Sequence, residues 1–229
     1  MLIIIDTKLP EKAKQSLSRY GELVGLATEG ITYDSISGHP DIFFCQNVSE
    51  LITAPNLPGH YTELLRSKGV CLTKGTNPVG NVYPATAHYN GVLSEGNLIH
   101  HLDLTDPVIL GQVDPQKRIH VSQGYCRCNL ISLGANNYIT SDAGIQKVLS
   151  GKGFHSLYVD PAGILLPGFQ HGFIGGTCGV CSGRVFFTGS LRRYRQGKEI
   201  RSFLHDLHLE VVELYDGPLF DGGGIMFIG

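Results

Sequence analysis

GFIGGTCGVCSGRVFFTGSL, Gly172 to Leu191, is the stretch on which the reading of this chain turns. Val180, Val185, Phe186 and Phe187 are β-formers placed on either side of Ser182-Gly183, which predicts a β-hairpin. Gly175-Gly176 leaves no side chain between this backbone and whatever lies beside it.

Outward from the hairpin the same unit recurs. After it, Lys198 to His208 predicts a helix with Ile200, Phe203, Leu204 and Leu207 on one face, then a strand over Val211 to Tyr215. Before it, Gln123 to Thr140 predicts strand–turn–strand, with a capped helix after Ser141 or Asp142 and a strand near Leu157. Further back lie a strand–turn–strand around Ser94 to Asn97, and two strands or a hairpin over His39 to Pro55, followed by a helix from His60 to Ser67. Met1 to Asp6, Pro10 to Arg19 and Leu23 to Ala27 predict strand, helix, strand. Comparable points fall at Asp41, Ala87, Tyr125, Phe173 and Asp221, spaced 46, 38, 48 and 48 residues apart. A fifth of 229 residues is about 46, so the period points to five radial repeats in one domain. The count closes if the glycine-led strand of GPLFDGGGIMFIG pairs with the N-terminal strand, which removes open sheet edges.

Composition fits a glycine-punctuated globular protein, with 30 glycines and 11 prolines. The net charge of −2, with LRRYR at Leu191 to Arg195 as the densest basic cluster, argues against nucleic acid as a partner. MLIIIDTKLP has too short an apolar run for a signal peptide, and no segment has the length of a membrane span. The expectation is a soluble cytoplasmic protein with its six cysteines reduced. GGTCGVCSG is followed by a strand and lacks a P-loop lysine, so no nucleotide or other cofactor is expected.

The pattern resembles the pentein fold of the guanidine-modifying enzymes, an α/β propeller of five pseudo-repeated ββαβ blades. IGGTCGVCSGRVFFTGS (Ile174 to Ser190) resembles their Gly-Gly-Asp hairpin, and LFDGGGIMFIG (Leu219 to Gly229) their last strand, in which three glycines precede the catalytic cysteine. GYCRCN, ITSDAGI, GFIGG and DGPLFDGGG resemble an uncharacterised bacterial family of that fold. The resemblance implies a cysteine nucleophile, a histidine base and acids that grip a guanidinium. Here the acid of the Gly-Gly-Asp motif is Thr177, and the cysteine position falls near Ile228, beside Met226 and Phe227. Losing the carboxylate removes the partner of a cationic substrate, and losing the thiol removes covalent catalysis at that place. Since the same fold also serves a ribosome-binding anti-association factor, the scaffold alone implies no catalysis. The leading expectation is a degenerate site that binds a small molecule in the axial cavity, or an interaction scaffold.

Other residues still offer chemistry. Cys128, on a predicted strand, is the candidate for a relocated nucleophile, with His39 as base and Asp41 as acid from another blade. His100, His101 and Asp103 in HHLD are a second histidine–acid option. Tyr125, Asp106, Asp142 and Asp221 are candidate ligand contacts, although Asp106 before Pro107 also suits a turn and Asp142 a helix cap. Cys126, Cys128, Cys178 and Cys181 form CxC plus CxxC, four soft ligands that tetrahedral zinc would accept if adjacent blades brought them together. Oligomeric state is left open.

Overall fold

The structure is a computed structural model that describes residues 1–48 and 50–229. Five wedges follow one another. The first opens with β1 (Leu2–Asp6), α1 (Glu11–Leu17) and β2 (Glu22–Leu26). The second runs α2 (Pro40–Phe43), β3 (Phe44–Gln46), β4 (Leu51–Thr53), α3 (Gly59–Ser67) and β5 (Leu72–Lys74). The third has β6 (Val92–Ser94), β7 (Asn97–His100), α4 (Pro107–Gly111) and β8 (Arg118–His120). The fourth has α5 (Cys126–Asn129), β9 (Leu130–Ser132), β10 (Asn137–Thr140), α6 (Ala143–Gly151) and β11 (His155–Tyr158). The fifth has β12 (Cys178–Cys181), β13 (Arg184–Phe187), α7 (Gly197–Asp206) and β14 (Glu210–Glu213). Then β15 (Met226–Ile228) returns to the first wedge.

Each wedge is a three-stranded sheet built the same way. Its middle strand pairs antiparallel with an inner strand and parallel with an outer one, across a helix. The chain ends are zipped together, with Leu2 opposite Ile228 and Ile4 opposite Met226. The inner strands β3, β6, β9, β12 and β15 stand side by side around the axis. Gln46 Nε2 closes the ring by donating to Phe227 O at 2.7 Å. The repeats read from the sequence are therefore five turns of an α/β propeller.

Apolar spacing explains which face each helix buries. Ala13 and Leu17, Tyr61 and Leu65, Ile145 and Leu149, and Ile200 and Leu204 are four apart, and each pair is buried against its own sheet. Burying each leucine contributes ~1.5–3 kcal/mol. In the hairpin, Ser182 and Gly183 both take positive φ, 49° and 73°, as a two-residue turn between right-twisted strands requires.

Two local expectations are corrected. GYCRCN is not a strand. It folds as the helical turn α5, because Asn129 returns both its backbone N–H and its side-chain amide to Tyr125 O. Cys126 and Cys128 therefore do not share one strand face. Gly223 and Gly224, with φ of 68° and 80°, form a turn rather than part of the closing strand, which starts at Met226. Among the described residues no helix is long and apolar enough to cross a membrane.

Candidate functional site

The end of β1 and the loops that enter the inner strands bring four buried acid or imidazole side chains to the axis: Asp6, His39, Asp41 and Asp221. Asp6 ends β1, and His39 and Asp41 begin α2. Asp221 precedes the triple glycine. Its Oδ2 accepts from Phe173 N at 2.8 Å and its Oδ1 from Gly223 N at 3.1 Å. Both glycine motifs exist to let these groups come close. A Cβ on Gly176 would lie 1.8 Å from Asp221 Oδ1, and one on Gly223 would lie 2.3 Å from His39 Cβ. A Cβ on Gly224 would lie 2.9 Å from Arg127 Nη2.

Cys128 enters from the fourth wedge. Its thiol donates to Asp41 Oδ2 at 2.8 Å. Asn90, from the third wedge, clamps the pair: Nδ2 donates to Asp41 O at 3.0 Å and to Cys128 Sγ at 3.3 Å, and Oδ1 accepts from Cys128 N at 3.1 Å. His39 lies between two acids, Nε2 3.8 Å from Asp6 Oδ2 and Nδ1 4.0 Å from Asp221 Oδ1. Those separations are too long for hydrogen bonds. Asp6 Oδ2, Asp41 Oδ1 and His39 Nδ1 are buried without a hydrogen-bond partner in the protein. The hydroxyls of Tyr33 and Tyr125 approach each other beside the cluster, and Tyr125 also meets Thr86 Oγ1. A 470 Å³ pocket lined by Asp6, Lys8, Asp34, His39 and Asp221 opens onto the acids.

Burial sets the charge state. It pushes Asp6 up to about 6 and Asp41 up to about 6. Asp221, raised by burial and then by the charge of Asp41, reaches about 7. His39 falls to about 3 through burial and the field of Lys8, so its imidazole is neutral at physiological pH. The flanking acids do not offset this, because they themselves hold protons over the range where the imidazole would charge. Burial first, then Asp41 and Asp221, push the Cys128 thiol well above its ordinary value. At neutral pH the cysteine is therefore a thiol, and the acids carry negative charge that no lysine or arginine side chain of the described residues pairs within 4.0 Å; Lys8 gives Asp6 only its backbone N–H at 2.7 Å, and Lys8 and Arg127 otherwise act through their longer-range fields.

The sequence-derived candidates divide. Cys128, His39, Asp41 and Asp221 meet at one site, and Tyr125 borders it. Asp106 and Asp142 sit at helix starts. Asp106 caps α4 and also accepts from Thr76 N at 2.9 Å, Asn77 N at 2.7 Å and Tyr89 OH at 3.1 Å. Asp142 caps α6 and holds Gln123 Nε2 at 2.9 Å. His100 has both ring nitrogens engaged, by Thr105 Oγ1 and Gly124 O, while Asp103 is exposed. The four cysteines do not converge: Cys126 Sγ donates to Gln123 O, and Cys181 Sγ lies 3.6 Å from Met1 Sδ. Among the described residues no three His, Cys, Asp or Glu side chains could hold a metal ion. Thr177, in the acid's place, turns its hydroxyl to Ile174 O at 2.7 Å. Sequence reasoning missed Asp6, Asn90 and Arg127. Asp6 carried a signal, an acid closing an otherwise apolar strand.

The chain matches the model of a family of unknown function (DUF6873) over residues 4–226, and belongs to that family. No curated protein sequence matches it. Three solved structures have the same fold at low identity. DDAH from Pseudomonas aeruginosa is 10% identical with a TM-score of 0.55, over 93% of this chain and 91% of that one. Agmatine deiminase from C. jejuni is 9% identical with a TM-score of 0.55, over 93% and 87%. The amidinotransferase SxtG from Microseira wollei is 11% identical with a TM-score of 0.53, over 93% and 87%. The fold is the pentein fold of guanidine-modifying enzymes.

Proposed function

We propose that this member of the DUF6873 family binds a small amidinium or guanidinium compound at the axial cluster of Asp6, His39, Asp41 and Asp221, with no standing cysteine nucleophile. One observation carries the reading: ionisable acids are buried, Asp6 and Asp41 each with an oxygen left without a partner, and no lysine or arginine side chain of the described residues pairs with them. Such charge is costly unless a partner arrives, and a planar cation offers paired N–H donors to carboxylates. The protonated state of Cys128 fits a binder better than an enzyme that keeps a thiolate ready.

The contact between Cys128 and Asp41 favours a second reading, a cysteine hydrolase or amidinotransferase working through Cys128. A bound cation would favour the thiolate, and Asp41 would take its proton.

Calorimetric titration with agmatine and benzamidine, against their neutral urea and amide analogues, tests the first reading. Saturable binding of the cations, weakened in Asp221→Asn, is the expected result; equal binding of neutral analogues sinks it. Mass spectrometry after 2-chloroacetamidine treatment tests the second. The binder reading expects the exposed Cys71 to be alkylated before Cys128. Faster labelling at Cys128, or product from agmatine, replaces the first reading with the second.

A further inference from the structure

The axial site has an outer and an inner compartment. Asp6, His39 and Asp221 line the open 470 Å³ pocket, but Asp41 and Cys128 do not, and they are only 0% and 4% exposed. Asp41 Oδ1 is nonetheless left without a partner there. An orphaned acid and a thiol behind a closed wall meet a ligand only if the wall moves.

One wall of the pocket is the loop from Thr28 to Ser37. The loop is closed on itself, since Thr28 N and Thr28 Oγ1 both donate to Ser37 O, at 3.0 and 2.7 Å. A compact loop with tied ends turns about its base as a unit. Ile36 anchors that base in the core, while Glu29, Gly30 and Asp34 at the tip are exposed. The closed position leaves the buried Thr32 hydroxyl without a partner.

Few contacts hold the tip down. Among the described residues one hydrogen bond ties it to the facing loop, Ser35 Oγ to Pro167 O at 2.7 Å. The Tyr33 ring lies 5.8 Å from that of Phe169, which is itself 51% exposed. The Tyr33 hydroxyl approaches that of Tyr125, and Lys8 Nζ donates to Asp34 O and Ser37 Oγ. The facing loop is fixed: Leu165 N donates to Leu219 O, and Asp221 N to Leu165 O, both at 2.8 Å. Burial raises the Tyr33 phenol, Tyr125 lowers it, and the charges of Cys128, Asp221 and Asp41 raise it again. The ring therefore borders both compartments.

We propose that the loop from Thr28 to Ser37 is a gate: its tip swings about the tied base, draws Tyr33 away from Phe169 and Tyr125, and joins the outer compartment to Asp41 and Cys128. A molecule docked on Asp6 and Asp221 reaches the inner pair only through this opening. The gate rests on the loop's own geometry, and its test uses a neutral reagent. It can therefore fail while the cation site stands, and the cation site can fail while the gate stands.

A Cβ on Gly168 would lie 3.0 Å from Ser35 Oγ. Ser35→Cys combined with Gly168→Cys therefore falls within disulfide reach and bolts the tip to the facing loop. The intact chain is treated with iodoacetamide, and labelling of Cys128 is read by mass spectrometry relative to Cys45, which is buried in β3 and reports wider unfolding. The ratio of Cys128 to Cys45 labelling should fall at least about tenfold when the double variant is oxidised, and recover after reduction and desalting. In Tyr33→Ala, which loses the hydroxyl and ring contacts, the ratio should rise about tenfold. An equal ratio in the oxidised and reduced double variant, or an unchanged ratio in Tyr33→Ala, overturns the gate. Gly168→Cys strains a backbone held at a φ of 88°, and if that variant does not fold, Tyr33→Ala decides alone.

Discussion

Replacing Asp41 with asparagine separates the ionic cost of the axial cluster from its packing. Asp41 is fully buried, one oxygen holding the Cys128 thiol and the other without a partner. Its ordinary value of 3.8 is raised to about 6. Between those values the folded chain holds a proton that the unfolded chain has released. The slope of stability with pH is therefore negative there, and stability is lost as pH rises from about 4 to about 6, then stays level. Two units at about 1.4 kcal/mol each put the loss near 3 kcal/mol. Asp41→Asn keeps the shape and an acceptor for Cys128, and removes the charge. Its new amide has no acceptor, a cost of about 1–3 kcal/mol that does not depend on pH. His39 titrates in the opposite sense, but burial and Lys8 set its value, so its contribution cancels between the two proteins. Urea unfolding at intervals from pH 4 to pH 8, followed by circular dichroism, measures the difference. The variant should gain about 2.5 kcal/mol on wild type between the two ends, with most of the change below pH 7. Relief of Asp221, whose value Asp41 helps to raise, adds in the same direction. A difference that is the same at pH 4 and pH 8 would refute the view that Asp41 is a charge held at a cost to the fold.

Other consequences follow from the same packing. Gly223→Ala places a Cβ 2.3 Å from His39 Cβ at a φ of 68°. It should cost about 2–5 kcal/mol, combining left-handed strain and overpacking, read from the urea midpoint. Asp106→Asn should cost about 1–3 kcal/mol for each backbone amide left without an acceptor, and it should not change benzamidine affinity. Asp142→Ala removes the α6 cap and should cost about 1 kcal/mol by the same measurement. Benzamidine affinity should rise from pH 5 to pH 8, because Asp41 and Asp221 ionise near 6 and 7. A calorimetric profile that is flat or falling over that range counts against a carboxylate site.

Much of the molecule was readable before folding. Alternating β-formers about the Ser182-Gly183 turn, helix faces such as Ile145 with Leu149, and a repeat near 46 residues are local signals, because side-chain direction and turn conformation depend on neighbours in sequence. Those signals specified five wedges and the meeting of the two ends. They also placed Asp41 and Asp221 at comparable points in different copies, with His39 and Cys128 close to such points, which made Cys128, His39 and Asp41 one candidate set and Asp221 a separate candidate ligand contact. Local signals failed at GYCRCN, where alternation read as a strand and Asn129 instead closes a turn on Tyr125. They could not show that Asp106 is absorbed by Thr76 and Asn77. Nor could they foresee a thiol kept protonated by burial and then by acids from other wedges. Charge state and partner choice depend on burial and on distances between segments 40 to 180 residues apart. The fold class belongs to the sequence, whereas the state of every ionisable group on the axis was decided by how five loops converge out of water.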